Sequence, residues 1–200
     1  MFTGIVHSMG TVVESATHGR DQRLQIRAPQ LDLNAVAMGD SIAVNGVCLT
    51  VAGLTSERFA ADVSNETLAC TSLGECAVEA AVNLEMALTP STALGGHLVS
   101  GHVDGLGHVL DRHDDASSVR MRFRVPHELS RYIARKGSVC IDGVSLTVND
   151  VNGDEFGINL VPHTVQRTTL GEFAVGRAVN IEVDQVARYL ERLLLAREQV

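Results

Sequence analysis

The chain contains no tryptophan, and its aromatic content is only 4%. That is too few planar side chains to build the stacking surfaces on which single-stranded nucleic acids lie. Basic residues are also in short supply: 16 Lys and Arg against 24 Asp and Glu give a net charge of −8. A phosphate-tracking face needs clustered cations, so a nucleic-acid partner is not expected. A small anionic ligand held by one local cation remains compatible with this balance. The four cysteines, Cys48, Cys70, Cys76 and Cys140, form no C-x-x-C pair and no disulfide framework, which reads as reduced thiols in a cytoplasmic protein. No stretch approaches the roughly 20 apolar residues of a membrane helix. The opening Met1–Val6 lacks the basic start and apolar run of a secretory signal. His97, His102, His108 and His113 stand five and six residues apart, a spacing that matches no usual zinc-ligand pattern, so no metal is expected.

What the chain does have is one stretch written twice. Ser41-Ile42-Ala43-Val44-Asn45-Gly46-Val47-Cys48-Leu49-Thr50-Val51 returns as Ser138-Val139-Cys140-Ile141-Asp142-Gly143-Val144-Ser145-Leu146-Thr147-Val148, at an offset of 97 residues. The same offset carries Gly4, Val6, Gly10 and Val12 onto Gly101, Val103, Gly107 and Val109. It also carries Thr71–Glu75 onto Thr168–Glu172, and Val82–Glu85 onto Val179–Glu182. The chain is a tandem duplication. The copies differ where chemistry is concerned: Cys48 faces Ser145, and Ala87 faces Asp184. Equivalent backbones with unequal side chains predict two related pockets with divided roles.

Each copy reads as β. Short apolar, β-branched runs are punctuated by glycine and Asx residues, and Asn45-Gly46 and Asp142-Gly143 are two-residue hairpin signals. Several short strands per copy predict a small antiparallel barrel or sandwich, with the barrel favoured because it leaves no open edge. Single helical turns are expected after Ser64 and from His127 to Ile133. Beyond Glu182 the pattern turns helical, with apolar residues at 186, 189, 190, 193 and 194. The expected organisation is a barrel over 1–97, a second over 98–185 and a helix over 186–200. The helix's stripe must be covered by another subunit or by its own barrel, and periodicity alone leaves both open.

Cys48 lies between apolar neighbours in a strand, where a cysteine is commonly a small buried hydrophobe. Its pairing with Ser145 argues for a reactive position instead. Neither residue has a neighbouring base in sequence, so activation must come through the fold or the substrate. Asp184 reads as a helix cap, a ligand-directed charge, or both. Lys136 replaces Gly39 of the first copy and is a candidate for a polar ligand group. Phe2 either covers a planar ligand or anchors the terminus.

With those residues assembled, the chain closely resembles riboflavin synthase of the trimeric type. The resemblance rests on Met1-Phe2-Thr3-Gly4-Ile5-Val6, Asn45-Gly46-Val47-Cys48-Leu49-Thr50-Val51, Glu66-Thr67-Leu68, Gly95-Gly96-His97-Leu98-Val99-Ser100-Gly101-His102-Val103, Asp142–Val148 and Arg167–Gly171, and so spans nearly the whole chain. It implies a mainly β fold of two six-stranded, Greek-key-like barrels plus a C-terminal α-helix, joined as a homotrimer. The reaction it implies is the dismutation of two 6,7-dimethyl-8-ribityllumazine molecules, without metal or cofactor. A docking partnership with lumazine synthase is also within the resemblance. It implies a first pocket from Gly4, Ile5, Val6, Cys48, Leu49, Thr50, Asp62, Val63, Ser64, Asn65, Glu66 and Thr67. The second would take Gly101, His102, Val103, Lys136, Ser145, Leu146, Thr147, Asn159, Leu160, Val161, Pro162, His163 and Thr164. Phe2, Ser41, Cys48, His102, Ser145 and Asp184 are the catalytic candidates. Ala69 and Cys70 stand where arginines are common, and Met86 where a basic residue is more usual. The rival reading is a non-catalytic relative that holds a lumazine or flavin as an optical antenna; the presence of Phe2, Ser41 and Cys48 favours the enzyme.

Overall fold

In the computed structural model, which describes residues 1–197, each copy of the repeat closes an antiparallel barrel of six strands. The first uses β1 (Ser8–His18), β2 (Asp21–Arg27), β3 (Ser41–Val44), β4 (Val47–Leu54), β5 (Arg58–Val63) and β6 (Ala81–Met86), in the closed order β1-β2-β5-β4-β3-β6. The second repeats that order with β7 (Gly105–Asp115), β8 (Ser118–Arg124), β9 (Ser138–Ile141), β10 (Val144–Asn152), β11 (Glu155–Leu160) and β12 (Ala178–Val183). Even the irregularities repeat. The register shifts at Val12/Glu14 and Val51/Gly53, and again at Val109/Asp111 and Val148/Asp150. Such bulges bend and twist a strand enough to close a small barrel. Each barrel encloses its own apolar core, around Phe59, Leu24 and Ile42 in one, and Phe123, Phe156 and Ile141 in the other. The strands of the first sheet end at Met86 and those of the second begin at Gly105. The expected boundary at 97/98 therefore falls inside a connecting segment.

Helical turns appear after Ser64 and at His127, and of these only the first has a side-chain cap. In α1 (Asn65–Cys70) the Ser64 hydroxyl accepts the Thr67 amide. The turn at His127 is α2 (His127–Ser130), and α3 (Pro162–Arg167) repeats α1 with proline in its first turn. At both hairpin tips the paired residues have positive φ: 46° and 78° at Asn45-Gly46, 43° and 80° at Asp142-Gly143. These are the primed turns that match strand twist.

Those two tips meet. A Cβ on Gly46 would lie 2.7 Å from the Gly143 nitrogen, and one on Gly143 would lie 2.8 Å from the Gly46 nitrogen. Around them runs a reciprocal set of buried hydrogen bonds. Asn83 Nδ2 donates to the Asp142 carbonyl and Asn180 Nδ2 to the Asn45 carbonyl, each at 2.8 Å. Their side-chain oxygens accept the amides of Thr169 (2.8 Å) and Ser72 (2.7 Å). The barrels are thus joined about a pseudo-twofold axis.

One buried group breaks that symmetry. Asp142 stands where the first copy has Asn45; its Oδ1 accepts the Asn180 amide at 2.7 Å, and its Oδ2 has no partner. Burial pushes this carboxyl up to about 7. The folded protein therefore holds the proton more tightly than the unfolded chain does. Stability from this group is full below about pH 4, near the unfolded carboxyl value, and is lost as pH rises through about 7. Asp142→Asn should flatten that slope, gaining roughly 2 kcal/mol over the wild type at pH 8 relative to pH 5. Urea unfolding at the two pH values measures it, and equal slopes for both proteins would contradict it. Glu85, Glu182 and Asp104, also raised chiefly by burial, keep a residual slope of the same sign in the variant.

The helix α4 (Gln185–Arg197) follows β12 directly, with the Asp184 carboxylate accepting the Val186 amide at 3.0 Å. Its polar side faces its own chain. Gln185 meets Ser100, Arg188 meets Asp104, and Glu191 meets Tyr132 and Arg131. Val186, Tyr189, Leu190, Leu193 and Leu194 are 52% to 70% exposed. The helix therefore lies on its own barrel by its polar face and leaves its apolar stripe uncovered within the chain. No helix among the described residues is long and apolar enough to cross a membrane.

Candidate functional site

Within each barrel the alternation of the strand after the hairpin decides what faces out. Val47, Leu49 and Val51 point into the first core, so Cys48 and Thr50 point away from it. Ser145 and Thr147 are placed likewise on β10. Between these two outward patches run the opening segments of the copies, paired by a bridge in which Phe2 and Val99 exchange amide hydrogen bonds of 2.7 and 3.1 Å.

A buried carboxylate folds each opening segment. Glu85 accepts the Thr3 amide (2.6 Å), the Thr3 hydroxyl (2.7 Å) and the Gly4 amide (2.9 Å). Glu182 accepts the amides of Ser100 (2.6 Å) and Gly101 (2.9 Å). So held, each segment crosses to the other barrel. The Gly4 carbonyl accepts the Ser145 amide at 2.7 Å, and the Gly101 carbonyl accepts the Cys48 amide at 2.9 Å. Val6 packs on the second core and Val103 on the first.

This crossing corrects the expected grouping. Gly101, His102 and Val103 line the cavity at Cys48, whereas Gly4 and Val6 lie against the second barrel, with Gly4 on Ser145. Sequence offset matched each segment to its own copy, and nothing in the offset reports the exchange. The first cavity, about 280 Å³ and open to solvent, is walled by Cys48, Glu66, Thr67 and Cys70 from barrel one and by residues 101–103 from the second copy. Cys70 brings a second thiol there, at the position where α3 carries Arg167. A cavity of about 400 Å³ between Arg20, Asn65 and Leu106 contains none of the candidate nucleophiles.

At the second patch the structure assembles a pair that sequence reading missed. The Ser145 hydroxyl and His97 Nδ1 are 2.7 Å apart. His97 is buried, and its Nε2 has no partner. Burial holds the imidazole below its ordinary value, while the charge of nearby Asp184 pulls the other way. A neutral imidazole against a hydroxyl can take or return a proton, with roles set by its tautomer. His97 has no counterpart in the first copy because the offset places it before Met1, so the repeat gave no signal. Glu85 and Glu182 did leave one: a carboxylate repeated in both copies inside a mostly apolar strand.

Other expectations narrow. Phe2 is 0% exposed, packed with Ala43, Val99 and Cys140, so it anchors the segment and does not cover a ligand. Leu49, Val63, Leu146 and Leu160 are core side chains, and only their backbones are available to a ligand. Asp62 is exposed on β5, paired with Arg23 at 2.6 Å. Ser41 shares the outward face of Cys48, two residues beyond Cys48's partner Ala43, beside a separate cavity of about 190 Å³. Asn159 lies exposed on β11; Val161, Pro162 and His163 lie exposed and Thr164 half-buried at the start of α3, and Ser64 and Asn65 lie exposed at the start of α1. Cys140 is fully buried and its thiol is pushed well up, which leaves it inert.

Lys136 holds φ at +67° where Gly39 holds +92°. The left-handed conformation costs a non-glycine residue about 1 kcal/mol, a cost that Lys136 bears and Gly39 does not. Lys136→Gly should raise stability by about 1 kcal/mol while weakening ligand binding at the second pocket. Melting and titration together test this; a variant that gains stability and binds unchanged would refute the ligand role.

A family profile described as "Lumazine binding domain" matches the chain twice, over residues 3–87 and 100–184. The riboflavin synthase of Photobacterium phosphoreum is 49% identical over 195 residues, covering 98% of this chain and 89% of that protein. Two solved structures of LumP also superpose. The complex with riboflavin has a TM-score of 0.85 at 27% identity, and the complex with 6,7-dimethyl-8-(1'-D-ribityl) lumazine 0.83 at 26%; each comparison covers 92% of this chain and 99% of the other.

Proposed function

The chain belongs to the riboflavin synthase family, each half a lumazine-binding domain, and from that premise we propose that it dismutates 6,7-dimethyl-8-ribityllumazine. Two identical substrates bind in two similar pockets. One gives a four-carbon unit to the other, yielding riboflavin and a ribitylamino-aminopyrimidinedione, with atoms and electrons balanced between the two lumazines and no cofactor. The observation that carries the reading is the duplication with divided chemistry: Cys48 with His102 at one outward patch, Ser145 with His97 and Asp184 at the other. The acidic step is loss of a proton from the C7 methyl, whose carbanion delocalises into the ring and needs only a modest base. Joining the two lumazines then draws its rate largely from holding them in reacting geometry, a contribution of roughly 7 to 11 kcal/mol in the best intramolecular cases.

Each patch takes one lumazine, and we propose that the reacting pair is completed between chains, with the first pocket of one subunit against the second of its neighbour. The uncovered stripe of α4 supports association, and a homotrimer gathered by α4 is the form we propose. The test is direct. Purified protein is mixed with the lumazine, without metal or reductant, and riboflavin is followed by absorbance and fluorescence. The expected yield is half a mole per mole of substrate over many turnovers. Tight binding without riboflavin would overturn the reading in favour of a binding-only relative.

A further inference from the structure

The inward face of α4 reaches the segment that carries His102. Arg188 Nη2 donates to the His102 carbonyl at 3.2 Å and to Asp104 Oδ2 at 2.7 Å. The same Asp104 oxygen accepts the Val183 amide at 2.8 Å, at the end of the strand from which α4 springs. One residue earlier, Glu182 clamps the amides of Ser100 and Gly101, and the Gly101 carbonyl holds the Cys48 amide. A continuous line of polar contacts therefore runs from α4 through residues 100–104 to Cys48.

The second pocket has the clamp without the tie. Glu85 grips Thr3 and Gly4 as Glu182 grips its own pair, and His7 takes the place of Asp104, accepting the Met86 amide through Nδ1 at 3.3 Å. The 97-residue offset, however, puts Ser91 of the connecting segment where Arg188 stands. The Asp104 carboxylate is mostly buried, its side chain 14% exposed against 36% for Arg188. The pair is thus better shielded than a surface ion pair, and a single guanidinium nitrogen, Nη2, serves both acceptors in the orientation that the planar group fixes.

We propose that Arg188 is a positioning residue for the first pocket: it holds the His102 wall against Cys48 in register with α4, so that association through α4 sets the geometry of that wall. The catalytic part of this inference rests on the dismutation proposed above. It is tested with Arg188→Met and Arg188→Lys in the full chain, beside the wild type. The readouts are kcat and KM, amide exchange at residues 101–103 and 4–6, and association state by sedimentation.

For Arg188→Met we expect kcat/KM to fall tenfold or more, the scale on which small misplacements act. Exchange should quicken at 101–103, stay unchanged at 4–6, and leave association as in the wild type. Arg188→Lys should recover part of the loss, since the ammonium keeps the Asp104 pair. Unchanged exchange at 101–103, equal quickening in both segments, unaltered kcat/KM, or loss of association would each overturn the proposal. A wild type that forms no riboflavin sinks the dismutation reading instead, and the exchange comparison still decides the positioning role.

Discussion

Leu190→Asp combined with Leu193→Asp yields folded single chains that bind lumazine and form riboflavin at least a hundredfold more slowly. Both leucines are more than half exposed on α4, so within the chain their loss removes little packing. At an interface each would bury an apolar side chain worth about 1.5 to 3 kcal/mol. Aspartate there must also shed water without a partner, which costs more than the contact it replaces. The polar ties of α4 to its own barrel, through Arg188 and Glu191, are untouched. Sedimentation and turnover on one sample check the expectation. A persistent oligomer would mean that α4 is not the contact, and a fully active single chain would mean that the site is complete within one chain.

Gly101→Ala is the second large effect, with turnover lost by a hundredfold or more and stability lowered by about 2 to 5 kcal/mol. Two costs combine. Gly101 has φ +79°, where a side chain costs about 1–2 kcal/mol. Its added Cβ would lie 2.6 Å from the Cys48 Cβ and 2.9 Å from the Phe2 ring, in a packed junction that must shift to admit it. The shift moves the His102 wall away from Cys48, so activity falls further than stability alone accounts for. Gly95→Ala is the control, since the nearest atom there is Ile5 Cγ1 at an ordinary contact distance of 3.4 Å and φ is unexceptional. Thermal melts with turnover separate the two variants; equal behaviour would contradict the close approach as cause.

Much of this was legible in the sequence because the duplication repeats the physical signals along with the residues. Asn45-Gly46 and Asp142-Gly143 demanded primed hairpins, Ser64 a cap, and the stripe beyond Glu182 a helix, and each is local chemistry that survives folding unaltered. What the sequence hid is long-range. The exchange of opening segments depends on Glu85 and Glu182 bending the backbone, and an offset between copies is blind to which barrel a segment ends beside. The His97–Ser145 pair joins residues 48 apart in sequence, one of them outside the repeat. Residue type left Phe2 open between covering a ligand and anchoring the terminus, and only its full burial shows that it packs. The direction of the α4 stripe likewise followed from Arg188 and Glu191 finding partners on the barrel, which periodicity cannot report.

The central claim, that two pockets of different chains make one reacting site, is tested most directly by mixing defects. Thr67→Trp and Thr164→Trp place an indole at equivalent half-buried positions of α1 and α3, each blocking one pocket. Either variant alone should form no riboflavin. Co-expressed, they should form it, because an intact first pocket on one chain then meets an intact second pocket on its neighbour. Mixed assemblies that remain inactive would contradict the account and place both substrates within a single chain.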